Sequence, residues 1–91
     1  MATPKRVLVV DDSVFMRDII KDIFAAGGFE VVGEAGNGVE AVEKYKDLKP
    51  DLVTMDLVMP YRNGIDATRE ILRQDQRALV VMSARSGKRR W

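Results

Sequence analysis

Ninety-one residues, 46% hydrophobic and 32% charged, allow one small domain with a single core. The absence of Cys and His excludes a disulfide scaffold, thiolate or imidazole metal sites and imidazole catalysis; the short apolar runs exclude a bilayer span and a signal peptide, so the cytoplasm is the expected location. Net charge is +1, but Arg85, Lys88, Arg89 and Arg90 crowd the last seven residues without an acid, which leaves 11 basic against 14 acidic side chains, net −3, over residues 1–84.

Arg6-Val7-Leu8-Val9-Val10 is a β-branched run with no polar interruption, as a strand buried on both faces of a parallel sheet requires. It stops at Asp11-Asp12-Ser13. Phe15, Met16, Ile19, Ile20, Ile23 and Phe24 then recur at three- and four-residue spacing, predicting a helix that Asp12 or Ser13 can cap and Gly27-Gly28 can end. Phe29 to Ala35 reads as a more polar strand suited to a sheet edge. Asn37-Gly38 is a turn signal, and Val39, Val42, Tyr45 and Lys46 predict a second helix stopping before Pro50. Leu52 to Asp56 is a third strand, again ending in a carboxylate. Met59 to Gly64 is a loop with Pro and Asn-Gly punctuation. Ile65, Thr68, Ile71 and Leu72 predict a third helix, and Leu79 to Met82 a fourth strand leading to Ser83-Ala84. Strand and helix alternate through short loops, the pattern of a doubly wound α/β sheet.

In such sheets function collects outside the carboxyl ends of the strands. Asp11, Asp12 and Asp56 stand at two such ends, and a right-handed crossover makes those strands neighbours, so the three carboxylates are expected to converge. Like charges that close repel, and the sequence places no Lys or Arg at either strand end. An all-oxygen set without His or Cys favours Mg²⁺. Any one of these acids, taken alone, is equally well a helix cap or turn residue. Ser83 can offer its hydroxyl to the same crevice.

Val7 to Ser13, then Met55-Asp56-Leu57-Val58-Met59-Pro60 with Asn63-Gly64, then Val81-Met82-Ser83-Ala84, together resemble the receiver domain of response regulators, of the chemotaxis, CheY-like type. The resemblance implies a flavodoxin-like fold and a signalling module that accepts a phosphoryl group from a sensor histidine kinase, not a metabolic enzyme. It implies Asp56 as the phosphoacceptor, and Asp11 and Asp12 as holders of Mg²⁺ together with Asp56 and the backbone carbonyl of Val58. It implies Ser83 as the switch hydroxyl and Ala84 as the small residue that leaves room for the phosphoryl group.

The family pattern continues with a helix, a strand and a helix, roughly 30 further residues. The chain therefore reads as a receiver truncated after its fourth strand (residues 1–84), followed by a basic tail over 85–91. The Lys of the family's fifth strand has no counterpart, and Lys88 lies in the wrong element to take its role. One back-translation of the tail, read in another frame, encodes Ala-Leu-Gly-Gln-Glu-Ala-Met-Val, similar to the segment after Ser-Ala in chemotaxis receivers. A frameshift product is expected, with deliberate truncation or a naturally short receiver as alternatives. A bare sheet face and an open fourth strand lead us to expect a homodimer or larger assembly. Two other readings remain: a non-catalytic, self-associating interaction module that keeps the acidic metal site, and weak nucleic-acid attachment through the tail, which is more simply a solvated run. Gly36-Asn37-Gly38 is too short for a phosphate-binding loop.

Overall fold

The computed structural model describes residues 3–56 and 63–83. In chain order the elements are β1 (Arg6–Val10), α1 (Val14–Ala26), β2 (Glu30–Ala35), α2 (Gly38–Leu48), β3 (Leu52–Asp56), α3 (Gly64–Gln74) and β4 (Val80–Ser83). The strands form one parallel sheet in the order β2-β1-β3-β4. This is the β-α-β-α-β-α-β portion of a flavodoxin-like doubly wound sheet, with β1 inside and the more polar β2 at an edge, as its composition suggested.

Each helix has a local reason to start where it does. Ser13 caps α1, its side chain accepting from the Met16 amide at 3.2 Å; Asn37 and Asn63 cap α2 and α3, accepting from Glu40 and Asp66 at 2.9 Å. Both Asn-Gly pairs are thus helix starts rather than free-standing turns, because a carboxamide can satisfy a helical N–H as readily as it can close a turn. α1 ends in a Schellman arrangement. Gly28 holds φ +91°, the Gly28 amide donates to Ala25 and the Phe29 amide to Phe24. Phe29 then packs edge-on against Phe24, ring centroids 5.1 Å apart.

Register divides the sheet into two faces. Under α2 and α3 lie Leu8, Val10, Val53 and Met55, packed with Ala41, Tyr45, Ala67 and Ile71. Under α1 the cluster of buried apolar residues among those described is Val7, Val9 and Leu52, with Ile20, Phe24, Phe29 and Val31 partly buried against them. The apolar stripes read from sequence are correspondingly narrower in space. Val39, Ile65 and Leu72 are exposed, as are Phe15 and Ile23 on α1, and Lys46 faces solvent, whereas Ala41 and Ala67 sit at the helix–sheet contacts. At Gly33 of β2 the side chain of Leu48 on α2 fills the space a Cβ would take, which would lie 2.7 Å from Leu48 Cδ1.

β4 is the outer strand of the described sheet. Its Leu79 and Val81 continue the rows of Leu52 and Thr54 on the α1 side and are 59% and 49% exposed. No described helix is long and apolar enough to cross a membrane.

Candidate metal and phosphoacceptor site

β1 and β3 are neighbours, with Val10 level with Met55, so Asp11 and Asp56 emerge side by side at the carboxyl end of the sheet. Asp11 and Asp56 are 1% exposed, while Asp12 is open to solvent. One carboxylate oxygen from each of the three lies within 4.8 Å of the others. The Asp11 end is tied down twice: its amide donates to the Ala35 carbonyl of β2 at 3.1 Å, and its Oδ1 accepts from the Ser13 amide at 2.9 Å. Three converging oxygen donors with no soft ligand beside them suit a hard divalent cation such as Mg²⁺, which takes few carboxylates and keeps waters.

Ser83 closes β4 and pairs in register with Asp56, so the backbone brings these two positions level on adjacent strands. Val58, Ala84 and the basic tail lie outside the described residues, as does most of the loop from Met59 to Gly64.

Neither strand end carries a Lys or Arg, but a cation approaches this corner from α1. Arg17, one turn into α1, donates from Nη1 to the Asp11 carbonyl at 2.6 Å and from Nε to Glu34 Oε1 at 2.7 Å. Lys21 donates to Glu34 Oε2 at 2.8 Å, and Lys44 to the Glu34 carbonyl. The Lys21 hydrogen bond, with that of Arg17 second, holds the Glu34 carboxyl below its ordinary pKa, and the same pairing raises that of Lys21. Arg17 is hard to pick out because it stands on α1, six residues past Asp11, and its other partner, Glu34, is 17 residues further on. The available signal was its helical face: Arg17, Ile20 and Phe24 share the spacing of the residues that turn toward the sheet.

The family described as response regulator receiver domain matches this sequence over residues 7–90. The chain belongs to that family. Among individual relatives, this receiver is 58% identical over 83 residues to the chemotaxis protein CheY of Thermotoga maritima, covering 91% of this chain and 69% of that one. It is 55% identical to CheY of Bacillus subtilis, covering 90% and 68%. Solved structures agree. The CheX–CheY–BeF₃–Mg²⁺ complex of Borrelia burgdorferi superimposes with a TM-score of 0.85 at 42% identity, over 87% of this chain and 60% of that one. The response regulator domain of Thermotoga maritima CheB gives 0.82 at 49% identity, over 88% and 60%. This receiver therefore spans about three-fifths of these two solved structures.

Proposed function

We propose that this receiver is a Mg²⁺-dependent phosphoacceptor of a chemotaxis-type two-component system. The observation that carries the reading is the convergence of the Asp11, Asp12 and Asp56 carboxylates within 4.8 Å at the carboxyl end of adjacent strands. Asp11, Asp12 and Asp56, with the Val58 carbonyl, would hold the metal, which would supply positive charge to offset that of the phosphoryl oxygens. A carboxylate oxygen of Asp56 attacks phosphorus of a kinase phosphohistidine; the P–N bond breaks and the imidazole leaves, giving an acyl phosphate. Ser83, level with Asp56, contacts the phosphoryl group, and Ala84 leaves it room. Residues 85–91 are read as a basic tail on composition alone.

Intact mass after incubation with a small-molecule phosphodonor tests this. A phosphoryl-sized gain that requires Mg²⁺ and disappears in Asp56→Asn is expected. No gain in the parent chain would overturn the reading.

A second reading, a self-associating module, is favoured by the exposed Leu79 and Val81 beside the outer strand β4. Homodimers formed through this strand and face are expected in light scattering at micromolar concentration, with Val81→Asp shifting them to monomer. A monodisperse parent monomer would contradict it.

A further inference from the structure

The Arg17 side chain is only 15% exposed and touches two strands at once. Its Nη1 meets the Asp11 carbonyl of the β1 end, and its Nε meets the Glu34 carboxylate of β2. Gly36 stands just beyond β2, where a Cβ would lie 3.2 Å from Nη1, so the absence of a side chain there leaves space for the guanidinium. We propose that Arg17 is a positioning residue for the acidic cluster, clamping the Asp11 end of β1 to β2 and so presetting the Asp11 carboxylate for a divalent cation. The inference rests on the metal-site reading above.

Guanidinium chemistry explains the choice of residue. Two donors held in one rigid plane fix the distance and angle between a carbonyl and a carboxylate, whereas an ammonium's three donors radiate from one nitrogen on a flexible stem and set no such geometry. Lys21 already occupies the other Glu34 oxygen, at 2.8 Å. The clamp acts directly upstream of the ligand: the Asp11 amide is bonded to Ala35, its carbonyl to Arg17, and its Oδ1 to the Ser13 amide. Fixing the backbone on both sides of Cα limits where the carboxylate can swing. Glu34 meanwhile offsets the positive charge that would otherwise oppose a cation at the cluster.

Clamping and simple charge make opposite forecasts. If Arg17 only repelled a cation, Arg17→Ala would tighten Mg²⁺ binding and Arg17→Lys would leave it unchanged. As a clamp, both substitutions weaken it, by about tenfold, the lower end of what loss of an outer-shell partner costs a metal site. Calorimetric Mg²⁺ titration of the full chain reads this directly; parent-like or tighter binding in both variants overturns the clamp. Amide hydrogen exchange without metal separates the two ideas. The Ser13 and Asp11 amides are expected to exchange about tenfold faster in Arg17→Lys, while the Val53 amide, bonded to Leu79 at 2.9 Å, stays as in the parent. If the parent binds no Mg²⁺ the metal reading fails, and unchanged Ser13 and Asp11 exchange removes the clamp as well.

Discussion

The side of the sheet beneath α2 and α3 gathers nine buried residues into one cluster, from Leu8 on β1 to Ile71 on α3. The apolar cluster on the opposite side holds three, and α1 contributes no buried residue at all. Yet the two sides serve one site. Asp56 ends β3, whose Val53 and Met55 are locked into the dense cluster, while Arg17 and the Ser13 cap belong to the helix on the thin side. Asp56 thus ends the best-packed strand, while the groups that hold its neighbour Asp11 come from a helix with no buried residue. Dense packing and polar ties are divided between the faces.

The sharpest way to break this contrast is to remove volume from each face in turn. Ile71→Ala is expected to cost about 3 kcal/mol of stability in urea unfolding, since Ile71 is fully enclosed. Ile23→Ala, 63% exposed on α1, should change it by less than about 0.5 kcal/mol. Equal losses would show that the two faces are equally packed.

Next in size is Gly33→Ala. The 2.7 Å approach to Leu48 Cδ1, the end of a half-buried side chain, obliges that side chain to turn into a poorer rotamer, for about 1 kcal/mol. A chain as stable as the parent would mean that α2 rides loosely on β2.

Tyr45 on α2 donates to Asp75 Oδ2 at 2.8 Å, and burial, then that bond, pushes its pKa up to about 12. Tyr45→Phe should lose about 1 kcal/mol near neutral pH. A folded pKa above the ordinary value of 10 means the contribution is complete below pH 10 and fades as pH rises toward 12. Parent and variant stability should therefore draw together across that interval. A constant gap would assign the loss to packing alone.

A further effect lies on the thin face and has the opposite sign. Thr54 is 7% exposed, and its Oγ1 has no hydrogen-bond partner among the described residues. Thr54→Val is expected to stabilise by about 1 kcal/mol, measured by thermal unfolding. Destabilisation would point to a polar group reaching that oxygen.

The strands were legible because β-branched runs ending at Asp11 and Asp56 admit few other readings, and the handedness of βαβ crossovers then put those ends together. The helical faces were less so. α1 carries more apolar side chains than three buried strand residues can engage, so periodicity over-counted its core by including Phe15 and Ile23. Asn37-Gly38 was ambiguous because the same dipeptide serves turns and caps, and only the Glu40 amide decides between them. Arg17 was invisible because its two partners, Asp11 and Glu34, come together only when β1 and β2 pair.

The strand order also has a consequence for synthesis. β1 is the first strand made and an inner one in the finished sheet, and its Arg6 amide bonds to Asp51, 45 residues later. At about 5–20 residues per second, the ribosome needs roughly 2–9 s to deliver the segment that flanks β1 on its second side. Throughout that interval Val7 to Val10 is an apolar strand with at most one neighbour. A nascent chain with this strand order therefore carries an incompletely paired apolar strand for seconds, and slowing elongation before residue 51 should lengthen its exposure in proportion.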